Sequence, residues 1–460
     1  MYLPTLADRT RLVKPLRPPV LLFLVAISPS LAVAQGAIPS TPQGATNPYE
    51  YRLRCKAPNP PANPYKRKFG CKDVHFDTRE TLSGDWSGVR SVLRDEDGIT
   101  PTASHVAAFQ TNPGGHVPQE WNYDGQLSFS LDFNLHRILS VPGLSFYVSA
   151  FDNSGGNLSR VINSTFSVNT LHAPTFHLGE MYMQESLEDS RLLFAVGRLG
   201  PNFQFATIPV LGNYLNGGFN AQVSNIGVND PAFFGPPPGV EWGSQIVYKI
   251  DAPLEVSAGV FNNNLPSARG VNYGTHFTLQ DGNKGALIMG QITYLQQQGP
   301  LDTGLAGEYT VGAFHDNNWV KNLAGPNNLT GISGLYVMGQ QMIWRPPGRE
   351  GTKVGLTVWG EVGYSGQSDR NTMPSFYGAG AAYRGLIPGR SRDSLNIGWI
   401  YGGFSRYLPS QTAERVYELN YQWYPAKWLI AVPDFQYVVR PSGFNVPGAA
   451  VLGVQLNITL

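Results

Sequence analysis

Residues 126–135 read QLSFSLDFNL, in which Leu127, Phe129, Leu131, Phe133 and Leu135 alternate with Gln126, Ser128, Ser130, Asp132 and Asn134. Period-two alternation predicts a β-strand with one apolar face and one wet face. The pattern recurs in 355–365, where Leu356, Val358, Val362 and Tyr364 oppose Thr357, Trp359 and Glu361. In 414–423 Tyr417, Leu419, Tyr421 and Trp423 oppose Glu418, Asn420 and Gln422. The final segment sets Leu452, Val454, Leu456, Ile458 and Leu460 against Gln455, Asn457 and Thr459.

From about residue 100 onward, such segments follow one another between clusters of Gly, Pro, Asn and Ser. They fall near 100–111, 123–135, 144–151, 176–184, 191–197, 241–250, 254–261 and 286–294. The second half gives 304–314, 334–344, 355–365, 375–384, 393–404, 414–423, 428–439 and 449–460, which makes sixteen. Connections after odd-numbered segments tend to be long (152–175, 198–240, 262–285), and those after even-numbered ones short (185–190, 251–253). A bacterial outer-membrane barrel alternates this way, because periplasmic turns are short and extracellular loops long. An alternative count that replaces 100–111 with 219–223 also reaches sixteen, but it breaks the alternation. The expected fold class is therefore an all-β, transmembrane antiparallel barrel of sixteen strands, preceded by a short periplasmic helix.

Composition agrees with that picture. Charged residues are 14% of the chain, about half the usual share, while aromatics are 12% and glycine is abundant at 52 residues. Mean hydropathy is slightly negative, and no stretch after residue 40 is apolar for long enough to make a spanning helix. A large secreted β-protein would share these totals, so a surface-associated protein that binds glycans without transporting them stands as the alternative. A net charge of +1 implies no nucleic-acid partner.

The N-terminus places the chain outside the cytoplasm. Arg9, Arg11, Lys14 and Arg17 precede the apolar run Val20–Ile27, and Ala32-Val33-Ala34 supplies a small-x-small cleavage site. Residues 1–34 read as a signal peptide and 35–81 as a periplasmic extension. The two cysteines, Cys55 and Cys71, flank a Pro-rich basic loop, and an oxidising periplasm suits a structural disulfide there. Segment 82–99 supports one short amphipathic helix, with Trp86, Val89, Val92 and Leu93 on one face and Ser83 or Asp85 as its cap. Residues 100–460 form the barrel. Tyr421, Trp423, Tyr424 and Trp428 surround a turn at Pro425-Ala426. They suit an interfacial girdle, and also ordinary core aromatics beside a turn.

Alternation assigns Asp132, Glu255, Glu308, Trp359, Glu361, Glu418, Asp434 and Gln436 to the lumen. A charge facing lipid would cost up to roughly 2–4 kcal/mol, less for carboxylates than for Arg or Lys. Glu180 nominally shares a face with Phe176, Leu178 and Tyr182, and the same cost predicts a bulge that turns it inward. Lys249 also points inward, and Arg198 opens the long segment 198–240, which carries no charge between Arg198 and Asp230. That segment either folds back as a constriction or caps the mouth with no role in selectivity. Carboxylates accept hydrogen bonds from vicinal hydroxyls and Arg or Lys donates to ring oxygens, so the set suits a neutral polyhydroxylated solute. Trp359 is the candidate stacking platform for a sugar ring. The plainer reading is that these groups only wet the wall. No HExxH, GxxxxGK[ST], GxSxG or paired-cysteine motif is present, so no enzymatic activity, metal or cofactor is expected.

The segment LSGDWSGVRSVL at 82–93 resembles the leading motif of the carbohydrate-selective porin (OprB) family, roughly L-x-G-D-W-x-G-x-R-x-x-L. The resemblance continues in EMYMQESLEDSRLLFAVGRLG at 180–200 and YELNYQWYPAKWLIAVPDFQYVVRPSG at 417–443. It implies passive uptake of mono- or small oligosaccharides such as glucose through a Gram-negative outer membrane. The barrel pattern implies membrane lipid as a partner and its final strand the outer-membrane assembly machinery; association as a homotrimer is left open. The N-terminal extension with its cysteines is not part of the shared pattern.

Overall fold

The computed structural model describes residues 79–460 apart from 172–174, 188–190, 221–222, 231–239, 252, 264–284 and 299–301. The expected signal peptide and the expected pairing of Cys55 with Cys71 fall on residues outside those described. A 3-10 turn at Trp86–Gly88 leads into helix α1, Val89–Asp95. The first eight strands are β1 Ile99–Gly114, β2 Trp121–Asn134, β3 Leu144–Gly155, β4 Thr175–Leu187, β5 Leu192–Leu199, β6 Glu241–Asp251, β7 Leu254–Asn263 and β8 Gly285–Gln296. The others are β9 Gly307–Val320, β10 Leu329–Trp344, β11 Gly355–Tyr364, β12 Ser375–Arg384, β13 Ser394–Gly403, β14 Ala413–Ala426, β15 Leu429–Val439 and β16 Ala449–Thr459. Each strand pairs antiparallel with its sequence neighbours, and β1 pairs with β16, closing the barrel. All sixteen expected segments are strands. The rejected segment near 219–223 instead begins inside a short helix, Gly217–Asn220.

The outward face is apolar around the wall. Phe129, Ile292, Val311, Val337, Ile397, Leu419 and Val454 are exposed between two aromatic belts. Pairs Tyr294–Tyr309 and Trp344–Tyr383 belong to the short-turn end, and Phe109–Tyr123 and Tyr377–Tyr401 to the other. Trp423 joins the first belt, but Tyr424 does not. It lies on the lumenal phase of β14, is buried, and its backbone N–H donates to Asp393. The lipid-facing phase predicts that Ile397→Arg destabilises the folded barrel by about 2–4 kcal/mol. Urea titration of the variant in liposomes would measure this, and an effect below experimental error would contradict the orientation.

The alternation breaks where an outward Glu180 would otherwise meet lipid. Val148 pairs with Met181 and Ala150 with Leu178, so Gly179 and Glu180 together oppose Ser149. This β-bulge shifts the phase of β4 by one residue. A Cβ at Gly179 would lie 2.6 Å from the Ser149 hydroxyl, so only glycine fits the inner side of the bulge. Glu180 turns inward, and its Oε1 accepts from the Gly200 amide at 3.0 Å.

Candidate functional site

The lumen is not an open cylinder, because among the described residues two connections fold into it. Between β3 and β4 lies a short helix, Leu158–Ile162, whose following residues reach β14. The Glu414 carboxylate accepts from the Thr165 and Phe166 amides at 2.9 and 3.0 Å. The second connection is 200–240, the long segment singled out in the sequence. Its described residues 200–220 and 223–230 lie inside the barrel, with Phe205, Ile208, Leu211, Tyr214, Phe219 and Ile226 fully buried. These pack on lumenal apolar side chains, among them Phe261, Met289, Phe314, Tyr336, Phe376 and Ile400. The inward fold is thus held by a hydrophobic core of its own. Gly398 makes room for it, since a Cβ there would sit 2.7 Å from the Phe219 ring and 2.8 Å from Tyr214.

Polar groups of the wall satisfy the backbone of this inner segment, as buried amides require. Glu418 accepts from the Leu215 amide at 2.7 Å and the Asn216 amide at 3.0 Å. Gln436 accepts from the Asn216 side chain at 2.9 Å and lies beside Asp434, whose Oδ2 accepts from it at 2.7 Å. Trp359 donates to the Tyr214 hydroxyl at 2.9 Å, which donates in turn to the Ile397 carbonyl at 2.8 Å.

Five expected substrate-path residues are therefore corrected. Trp359, Glu361, Glu418, Asp434 and Gln436 do point inward, but all are buried beneath the inner segment. Trp359 offers no free ring face, because Tyr214 and Phe219 cover it edge-on at 5.4 and 6.0 Å. Arg198 is also buried rather than lining the path, with Glu241 and His177 in electrostatic range.

The other expected groups border the part of the lumen left uncovered. Asp132 is exposed on the inner face of β2, opposite Tyr147. Tyr147 and Tyr182 face inward side by side, ring centres 5.3 Å apart, with Ser130, Ser149 and Glu180 around the Tyr147 hydroxyl. Lys249 and Glu255 are direct cross-strand partners, and Glu308 lies within electrostatic reach of Glu255. Gln204, on the inner segment, hydrogen-bonds Glu255 and donates to Ser257 at 3.0 Å. The tyrosine pair escaped the sequence reading for two reasons. In β3 the inward phase of Ser145, Tyr147, Ser149 and Phe151 carries no charge to mark it, and in β4 the bulge moves Tyr182 onto the inner phase.

The geometry is a one-sided polar track. One flank is a packed apolar insert; the other carries hydroxyls, two tyrosine rings, four carboxylates and one ammonium. The sequence pattern of the carbohydrate-selective porin, OprB family matches residues 119–460. The chain is 24% identical over 434 residues to a protein of Acinetobacter baylyi described as a candidate porin, QuiX, covering 84% of this chain and 94% of that one. The high-pH structure of Pseudomonas putida OprB superposes with a TM-score of 0.76 at 21% identity, covering 83% of this chain and 99% of that one. The low-pH structure of the same protein gives a TM-score of 0.56 at 17% identity, covering 84% and 100%.

Proposed function

This chain belongs to the carbohydrate-selective porin, OprB family, and we propose that neutral sugars such as glucose diffuse passively along the uncovered side of its lumen, across a Gram-negative outer membrane. A porin barrel of this family is a channel for carbohydrates rather than an enzyme. The observation that carries the finer reading is the polar track beside the apolar insert. Tyr147 and Tyr182 offer ring faces for an apolar sugar face. Asp132 and Glu180 accept from hydroxyls, and Lys249 donates to oxygen while Glu255 and Glu308 flank it. None of these contacts encloses a solute, which suits a channel whose sites must bind weakly enough to release.

The outward apolar belts weigh against the alternative of a soluble glycan-binding protein, since they would place large hydrophobic patches in water. The outward belts contact membrane lipid, and the last strand is the segment that the assembly machinery would read. Conductance across planar bilayers, with and without glucose, tests the proposal directly. Glucose is expected to reduce the single-channel current. Failure to form a pore would overturn the channel, and an unaltered current would overturn the sugar path.

The track also carries more negative than positive charge among the described residues: Asp132, Glu180, Glu255 and Glu308 against Lys249. Such a channel should favour cations and neutral sugars over sugar acids. Replacing both Glu255 and Glu308 by Gln is expected to lower the potassium-to-chloride permeability ratio, read as a reversal potential in a salt gradient. An unchanged reversal potential would place these two groups off the path.

A further inference from the structure

Arginines gather on the outer face of the barrel at its long-loop end. The outward phase of β14 runs Trp423, Tyr421, Leu419, Tyr417 and then Arg415. Tyr417 pairs with the outward Tyr437 of β15, and Arg415 lies roughly 7 Å further along the strand toward the long loops. Its guanidinium is 5.3 Å from the centre of the Tyr401 ring, which belongs to the aromatic belt at that end. On its other side Arg415 pairs with Val439, and the next residue, Arg440, donates through Nη1 to the Thr412 hydroxyl at 3.3 Å. Arg406 is exposed in the connection before β14, 5.0 Å from the Tyr407 ring centre. Among the described residues none of these three arginines forms an ion pair. Glu414, beside Arg415 in the chain, points into the lumen and is committed to the Thr165 and Phe166 amides. Asp369 lies in electrostatic reach of Arg406 but is engaged by Arg370 at 3.1 Å. The connections on this side keep the same sign: residues 321–328, 365–374, 404–412 and 440–448 hold Lys321, Arg370, Arg406 and Arg440 against one acid, Asp369.

We propose that Arg415 and Arg440, with Arg406 beside them, bind a phosphate of the outer-leaflet glycolipid, lipopolysaccharide, on the outside of the barrel. The assignment rests on the outer-membrane location and not on the sugar path. An aromatic belt marks the boundary between hydrocarbon and headgroups, so arginines at its outer edge stand at headgroup level. A cation on a lipid-facing strand is tolerated there and not at the bilayer centre. Basic clusters at that level recognise anionic headgroups. Stacking on tyrosine uses the face of a guanidinium, while its edge carries the fork of donors that matches phosphate oxygens. The rim is therefore a surface whose missing counter-charge the membrane itself supplies.

Titration of the full chain, refolded in detergent free of native lipid, with deep-rough lipopolysaccharide tests the assignment, bound lipid being counted by native mass spectrometry. One tightly held lipid per barrel is expected. The double variant Arg415→Gln, Arg440→Gln should remain heat-modifiable on gels and bind it about tenfold more weakly or worse. The same glycolipid stripped of its phosphates should lose a similar factor on the wild type, whereas phosphatidylglycerol should bind wild type and variant alike. Equal binding by the wild type and the folded variant would overturn the site. So would equal binding of intact and phosphate-free glycolipid, or a matching loss for phosphatidylglycerol, which would mean a general attraction for anionic lipid. Tighter binding of inorganic phosphate than of the glycolipid would also overturn it. If the variant does not fold, the phosphate-free lipid on the wild type decides. Planar-bilayer conductance keeps the two readings apart: a barrel that conducts but holds no glycolipid refutes this site alone, and one that does not conduct refutes the channel.

Discussion

Tyr214→Ala is expected to loosen the inner segment by about 3–5 kcal/mol, the range for emptying a buried aromatic site, and to raise single-channel conductance several-fold with added open-channel noise. Tyr214 is fully buried and stacks on Phe219 with ring centres 4.9 Å apart and planes at 17°. It also supplies the acceptor for Trp359 and occupies the Ile397 carbonyl. Truncation removes the ring, opens a cavity against β11 and β13, and leaves the buried indole N–H without its partner, a further loss of about 1–3 kcal/mol. The strand ladders do not depend on Tyr214, so the barrel should still close and shift on gels as the wild type does. Tyr214→Phe separates the two contributions: it keeps the ring and removes only the hydroxyl, and its conductance should stay near wild type. Planar-bilayer recordings of both variants are the measurement. Wild-type conductance in the alanine variant would mean that the inner segment does not limit the pore.

The second large effect is expected at the seam. Arg90 on α1 reaches across to the residue after β16, where Nη2 donates to the Leu460 main-chain oxygen at 2.8 Å. Its Nη1 donates to the Thr81 hydroxyl at 2.6 Å and the Gly84 carbonyl at 3.2 Å, and the guanidinium lies 4.2 Å from the Trp86 ring centre. The Leu82 amide donates to the Thr459 carbonyl at 2.7 Å, so the segment before β1 is stitched to the last strand. Burial pushes Arg90 below the usual guanidinium range, and nearby Asp85 opposes that. Arg90→Ala removes these contacts from a partly covered site, and a loss of about 2–3 kcal/mol is expected. The observable is the temperature at which the folded band converts to the unfolded one in detergent gels, which should fall. Arg90→Lys should recover only part of the loss, because a single ammonium cannot span the same fork of acceptors. An unaltered conversion temperature in Arg90→Ala would show that the seam does not rely on the arm.

The helix itself differs from its expected role. Trp86, Val89 and Val92 share the apolar face foreseen for it, yet they are 44%, 51% and 45% exposed. What ties the segment to the last strand is a polar side chain, Arg90, which no hydrophobic pattern would single out. The foreseen caps also act differently: Asp85 accepts from the Ser91 amide at 3.0 Å and its hydroxyl at 2.8 Å.

The wall was legible because lipid enforces a strict rule on every outward position, and period-two alternation is the trace of that rule. QLSFSLDFNL shows it cleanly, since the β2 lumenal positions near Asp132 face the uncovered side. The lumen was less legible because it obeys two rules. Beside the track, inward positions are polar. Beneath the inner segment they are Leu287, Met289, Phe314, Tyr336 and Phe376, so β8 is apolar on both phases over 286–289 before Gln291 and Thr293 return polarity to the inward one. Glu418 and Asp434 were correctly turned inward by cost alone, but facing inward and facing water are different conditions. A signal for the difference did exist. Gly398 sits on an inward phase where a side chain would strike the insert, and glycine inside a strand marks close approach.

The inner segment also has an electrical consequence. Apolar packing over one side of the barrel excludes ions from that part of the cross-section, so a potential applied across the membrane drives current only through the remaining wet strip. Field lines concentrate in an aqueous cleft bounded by low-dielectric material. The few carboxylates along the strip thus act on a passing ion more strongly than they would in an evenly flooded barrel of the same width.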